Sequence, residues 1–323
     1  MGVIDIEELD FANAAEADQR ELFDLQVDWW TKAMPPRRLP DFSGWVRRNQ
    51  TPEGNWGRAR FLVARENGHV VGYAYGYLPT TDNTHLVAGS TIVGEQWRRR
   101  GIGTALLRHA LRLANRDTAG VSWIPGDSEG ARWATRRGFT VVSSLTLQDL
   151  VLTDPLPEVG EVPPGHRLVQ WTGRAPDDLL DAYVDALNTT GDQPMGDSPY
   201  ELATFTRERV RQAEDELLAA GGEVWVVLAL HGTEAAAVTV LHRRLSRPSV
   251  GHQQHTGVLR AHRGKGLGRL VKAHLLHQLT GFEIIETETN TTNEQMLRIN
   301  HSLGFTDRLI TVDLSARVAD LML

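Results

Sequence analysis

The chain of 323 residues contains no cysteine. That excludes disulfides, thiolate metal sites and a cysteine nucleophile, and several enzyme classes with them. It also lacks any run of about 18 apolar residues, so no membrane span is expected. Residues 1–10 carry four acids and no basic cluster, unlike a secretory signal, and a cytoplasmic location is the expectation. Positive charge is not in excess. The formal net charge of −7 argues against a nucleic-acid partner gripped by broad phosphate neutralisation. Glycine, in contrast, is plentiful at 30 residues, and it punctuates the two densest basic stretches. A small anion explains glycine beside arginine more economically than a polymer does.

With 41% hydrophobic residues the chain can bury a full core, and its length favours two domains over one. A repeat supports that division. Arg98-Arg99-Arg100-Gly101-Ile102-Gly103 returns as Arg263-Gly264-Lys265-Gly266-Leu267-Gly268, an offset of 165, and Arg137-Gly138-Phe139 returns as Leu303-Gly304-Phe305, an offset of 166. Between the copies, residues 154–165 hold four prolines and two glycines and read as a linker. The expected domains are residues 1–154 and 166–323. In the second copy, spacing predicts helices over 177–187 and 198–220, then strands over 223–230 and 235–241. A strand ending near Val258, a helix over 266–280, a strand over 283–289, a helix over 293–302 and a last strand after Phe305 follow. The first copy gives strands over 60–65, 70–77 and 90–93, a helix over 103–115, a strand over 120–124, a helix over 129–136 and a strand over 140–151. The fold class is therefore α/β with a mixed sheet, written twice.

Each basic stretch has the pattern Arg-x-x-Gly-x-Gly and leads straight into a helix. Glycine lets backbone approach a ligand closely, and amides at a helix N-terminus converge on an anion such as a pyrophosphate. A Rossmann loop does not fit, because position 269 is Arg where its third glycine belongs, and a Walker A loop does not fit, because Gly266 follows Lys265.

The glycine loop after a strand ending in Val, followed by a Leu-Gly-Phe segment, resembles the GNAT acetyltransferase superfamily, in its tandem two-domain form. The likeness is strongest from Thr256 to Phe305, through Thr256-Gly257-Val258-Leu259-Arg260-Ala261-His262-Arg263-Gly264 and Asn293-x-x-Met296-x-x-x-Asn300-x-x-Leu303-Gly304-Phe305. It implies two domains, each a mostly antiparallel twisted sheet flanked by helices, and acyl transfer from acetyl-CoA or another acyl-CoA with no metal. Amides of Arg263, Gly264, Lys265, Gly266, Leu267, Gly268 and Arg269 would hold the pyrophosphate, and backbone at Val258, Leu259 and Arg260 would carry the pantetheine and polarise the thioester. The first-copy counterparts are Val93, Arg98, Arg99, Arg100, Gly101, Ile102, Gly103 and Thr104. Asn293 falls where the family contacts the cofactor arm. Asn300 stands where many relatives have a tyrosine that protonates the thiolate, which leaves solvent or His301 for that role.

The first copy has Asp127 and Ala134 where the second has Asn293 and Asn300, so the second domain is expected to catalyse and the first to be degenerate. An attacking amine must first lose a proton. His255, Glu286 and Glu288 are the candidate bases, with Glu95 for an active first domain; alternating Glu286, Glu288 and Asn290 equally describe the polar face of a strand. His252 and His255 sit at a strand spacing that points them apart, and no metal is expected. Trp29, Trp30, Trp45, Trp56 and Trp171 fit a core better than an acceptor cleft. The expected acceptor is a primary amine of a small molecule or peptide, attacked directly in a ternary complex. A longer acyl-CoA or an acyl carrier protein donor, and a non-catalytic acyl-CoA-binding module, are the alternatives; a monomer and a homodimer both fit.

Overall fold

A computed structural model describes residues 4–34, 39–52, 54–192 and 196–323. The chain forms two compact units that interleave in sequence: Met1–Ser144 with Gly196–Glu201 and Ile310–Leu323, and Leu145–Met195 with Leu202–Leu309.

The first unit contains β1 (Asp5–Leu9), α1 (Glu16–Ala33), α2 (Phe42–Gln50), β2 (Arg60–Glu66), β3 (His69–Tyr77) and β4 (Leu86–Val93). α3 (Ile102–Ala114), β5 (Thr118–Pro125), α4 (Glu129–Thr135) and the start of β6 (Thr140–Val151) follow. Its strands run in the order β1-β2-β3-β4-β5, and residues 311–317 pair antiparallel with β5 as the next strand. Only β4 and β5 are parallel, and they pair over three residues, Leu86–Ala88 against Thr118–Gly120. Beyond that point they part. Alternation assigns the two faces: Phe61, Val63, Tyr73 and Ile92 lie under α1 and α2 with Leu22 and Trp45, while Leu62, Ala64 and Val71 lie under α3 with Ile102 and Leu106.

The second unit contains β7 (His166–Thr172), α5 (Leu180–Leu187), α6 (Arg207–Ala219), β8 (Glu223–His231), β9 (Glu234–Arg243) and β10 (Val250–Val258). α7 (Leu267–Leu276), β11 (Ile284–Asn290), α8 (Glu294–Ser302) and the start of β12 (Thr306–Arg317) complete it. Its order is β7-β8-β9-β10-β11-β6, with residues 145–151 of β6 antiparallel to β11. β10 and β11 are its parallel pair, again over three residues. β8 and β9 are buried along nearly their whole length, which is why they read as continuous Val, Leu and Ala rather than as an alternation.

The helix expected over 198–220 is shorter. It begins at Arg207, where the Thr206 hydroxyl accepts from the Arg209 N–H, and residues 198–205 are irregular because Pro199 and this cap stop the helix from running back. Asp41, Ser128 and Asn293 cap α2, α4 and α8 in the same side-chain manner. α3 and α7 differ. They start on left-handed glycines, Gly101 at φ 82° and Gly266 at φ 76°, with no side-chain cap.

Candidate active site

The two glycine loops share one backbone. At the end of β4 the Gly94 N–H reaches the Val71 carbonyl at 3.0 Å, and at the end of β10 the Leu259 N–H reaches the Ala236 carbonyl at 2.9 Å. Neighbouring residues of a strand point their N–H groups to opposite edges, so the Val93 and Val258 N–H groups face the gap where the parallel partner has parted. The Arg98 Nε donates to the Val93 carbonyl at 3.2 Å and the Arg263 Nε to the Val258 carbonyl at 3.1 Å, tying each loop to its strand. Arg99 at φ 63° takes the left-handed conformation that Gly264 takes at φ 76°. Uncapped first-turn amides at Ile102–Thr104 and Leu267–Arg269 are the orphan donors that an anion satisfies.

In the first unit the gap is an open cleft of about 1540 Å³ that passes through the sheet. On the α3 and α4 face it is lined by Arg98, Arg99, Gly101, Gly103, Arg132 and Arg136. Arg137 joins them, donating to the Thr104 hydroxyl at 2.6 Å and lying 4.2 Å over the Trp133 ring. Arg100 is different, since its guanidinium is held by Glu66. The inner end is apolar, with Leu107, Leu111, Ala134, Phe139 and Leu314. On the α1 and α2 face the cleft meets Trp29, Trp56, Tyr75 and Ser90, together with Glu95. Lys32 donates to the Glu95 carboxylate at 2.5 Å and thereby holds its pKa below the usual range. Trp29 and Trp56, read from the sequence as core, thus line the cleft, and Trp45 is core.

In the second unit the equivalent positions are filled by one another. The Lys272 ammonium, 2% exposed, donates to the Asn300 Oδ1 at 2.6 Å, and the Asn300 amide donates to the Gln148 Oε1 at 2.7 Å and the Thr289 hydroxyl at 3.1 Å. Burial lowers the Lys272 pKa to about 7. Gln148 in turn donates to Asp307 at 2.8 Å, and the His301 ring contacts the same carboxylate. Asn300 is therefore a fully buried structural amide rather than a group open to a thiolate.

His255 packs edge-on against Phe205, and burial brings its pKa down to about 4. Glu286 is buried and held by the Arg247 guanidinium through two hydrogen bonds of 2.7 Å. Glu288 stands 3.6 Å from the His252 ring. A register shift between Gln253 and His255 turns His252 and His255, expected to point apart, to the same face of β10, opposite His242 and Val240, so His255, His252 and Glu288 neighbour one another while Glu286 is taken up by Arg247. Asn293 caps α8, accepting from the Met296 N–H at 3.2 Å. A Cβ on Gly257, on the face where the first unit has Ile92, would lie 2.0 Å from the Thr189 hydroxyl, so the turn after α5 closes over β10 there. Among the described residues no group of three His, Asp or Glu side chains is arranged to hold a metal, and no helix is long and apolar enough to cross a membrane.

Sequence reasoning missed the arginines of α4 and of the turn after it, and the buried lysine. The first are legible as Arg132, Arg136 and Arg137 just before Phe139; the second as a charge set between Leu270-Val271 and Ala273 in the largely apolar Leu267–Leu276 helix.

Residues 20–139 and 192–305 match the family model described as "Acetyltransferase (GNAT) family". The chain is 30% identical over 277 residues to a mycothiol acetyltransferase of Nocardia farcinica, covering 82% of this chain and 86% of that protein. It is 32% identical over 263 residues to a mycothiol acetyltransferase of Thermomonospora curvata, covering 79% and 82%. Among solved structures, a tandem GNAT protein from the clavulanic acid biosynthesis pathway superposes with a TM-score of 0.78 at 25% identity, over 98% of both chains.

Proposed function

Because the chain belongs to the GNAT acetyltransferase family and is an N-acyltransferase, we propose that it moves an acetyl group from acetyl-CoA to a primary amine within the cleft of its first unit. The observation that carries this reading is the passage between β4 and β5, with an arginine-rich glycine loop on one face and an aromatic chamber on the other. Amides at 99–104 take the pyrophosphate, and Arg98, Arg99, Arg132 and Arg136 offer charge to the remaining phosphate. The pantetheine runs along the unpaired edge of β4. The Val93 N–H then points at the thioester carbonyl and stabilises the oxyanion that forms as the amine attacks. The C–N bond forms, the C–S bond breaks, and the thiolate takes a proton from solvent, since Ala134 stands where a tyrosine would supply one.

An amine of pKa about 10.4 is only about 0.1% neutral at pH 7.4, which costs roughly 4 kcal/mol, so the proton must be drawn off. Glu95, two residues after Val93 and in the cleft, attracts the ammonium and passes its proton to water. The relatives named for mycothiol support a small-molecule acceptor. The second unit is the alternative place of transfer, favoured by the identical loop backbone around Gly266.

Gly103→Val tests the assignment. A Cβ at Gly103 meets nothing closer than 3.6 Å, so the fold accepts it, and it points toward Val93 and Trp133, where a larger side chain narrows the cleft beside the end of β4 that the cofactor must pass. Calorimetry is expected to show acetyl-CoA bound at least about tenfold more weakly, a loss of about 1.4 kcal/mol or more. Unchanged affinity removes the site.

A further inference from the structure

Residues Gly196–Glu201 are part of the first unit although residues 145–195 separate them in sequence from its main segment, and they are fastened there with unusual specificity. Asn83, 8% exposed and left-handed at φ 58°, accepts from the Glu201 N–H at 2.7 Å and donates to the Glu201 carbonyl at 2.9 Å. Its amide thus imitates one rung of an antiparallel ladder. The His85 ring contacts the Pro199 carbonyl at 3.2 Å, and the Asp197 N–H reaches the Val142 carbonyl at 3.0 Å. Two close approaches need glycine. A Cβ on Gly196 would lie 2.3 Å from the Val142 carbonyl, and one on Gly120 would lie 2.7 Å from the Tyr200 hydroxyl.

This fastening serves little core burial, because the segment is Gly-Asp-Ser-Pro-Tyr-Glu. What it delivers is one ring. Tyr200 packs on Trp56 with centroids 5.8 Å apart, and its hydroxyl bonds Ser122; burial raises its pKa above the usual phenol value. Gly120 and Trp56 both line the cleft. Gly120 and Ser122 alternate with Ala119 and Val121, which pack with α3 and α4, so Tyr200 lies on the opposite, acceptor face. The turn carrying Trp56 is pinned from its other side, where the Asn55 side chain accepts from the Thr80, Thr81 and Asp82 N–H groups.

We infer that Tyr200 is a positioning residue for the acceptor: through Trp56 and the start of the β5 divergence it fixes the aromatic wall against which the body of the amine stacks. The inference rests on the transfer reaction occurring in the first unit. Trp29, Trp56 and Tyr75 give this wall its ring faces and its acid, Glu95, is already paired with Lys32, so ring-bearing amines are the class it selects over linear polyamines.

The test compares Tyr200→Ala, Tyr200→Phe and wild type with tyramine, glucosamine and spermidine as acceptors. CoA release is followed with a thiol reagent, for which the cysteine-free chain gives no background. Tyr200→Ala is expected to raise the KM of the preferred ring-bearing amine about tenfold or more while kcat falls less than about threefold. Its acetyl-CoA affinity is expected to stay within about twofold of wild type. Tyr200→Phe keeps the ring on Trp56 and is expected to restore most of the KM. Hydrolysis of acetyl-CoA without any amine gives a second readout, expected to rise in Tyr200→Ala as water enters past a loosened wall. Unchanged amine ranking and unchanged hydrolysis overturn the inference, as does a uniform loss of all parameters that tracks the melting temperature. Failure of wild type to bind acetyl-CoA in the first unit, seen as equal affinity in Gly103→Val, removes instead the reading beneath it.

Discussion

Leu107, Ala134 and Leu314 in the first unit stand where Lys272, Asn300 and Gln148 stand in the second. The offsets are 165 for the first pair and 166 for the other two; the last is fixed by strand pairing, since Leu314 opposes Val121 and Gln148 opposes Thr287. The surrounding backbone is alike, with a glycine-started helix and a parallel pair that parts after three residues. Three side chains differ in kind. Apolar ones leave an open cleft; polar ones close on each other in a buried hydrogen-bonded chain. Motif conservation in the loop therefore says where a phosphate can sit, and the residues behind it say whether an acyl group has room to react.

The comparison breaks most sharply if the first unit is given the second unit's plug. Leu107→Lys combined with Ala134→Asn is expected to cut turnover about 100-fold or more by filling the inner cleft, with thermal melts used to separate blockage from unfolding. Turnover close to wild type in a folded double variant would show that the inner cleft is not used.

The next effect concerns Lys272. Its amine is charged below about pH 7 in the folded state and below about 10.4 when unfolded, so the unfolded chain binds more protons between those values. Stability is thus expected to rise with pH from about 7 to 10, by up to about 1.4 kcal/mol per pH unit from this group. Lys272→Met is expected to flatten that slope in denaturant melts taken across the window. An unaltered slope would show that the amine is not desolvated as its contacts imply.

The loops, the duplication and the order of the central strands were legible because each leaves a local signature: glycine beside arginine, an offset near 165, and unbroken Val and Leu in β8 and β9. The exchange of residues 145–151 and 310–317 between units leaves none, since either copy's last strand offers the same alternation to either sheet. Nor does sequence distinguish Glu286 as a base from Glu286 as the buried partner of Arg247, a contact made across 39 residues. Asn300 and Asn293 match a family pattern, yet one is a buried amide and the other a helix cap. Tyr200 was invisible for a related reason: it acts in a unit from which it is separated in sequence.

The smallest effect is expected at His255, which belongs to the second unit and stays neutral above about pH 4. His255→Ala is expected to leave kcat/KM within about twofold and the neutral part of its pH profile intact. Loss of a limb between about pH 6 and 8 would return the histidine to the reaction.

Turnover measured side by side in Gly103→Val and Gly268→Val, equivalent positions in the two loops, asks directly which unit transfers the acyl group. Transfer in the first unit requires turnover to fall about 100-fold or more in Gly103→Val and to stay within about threefold of wild type in Gly268→Val, with both variants melting like the parent. Retention of activity in Gly103→Val with its loss in Gly268→Val would contradict the assignment and place the chemistry in the second unit.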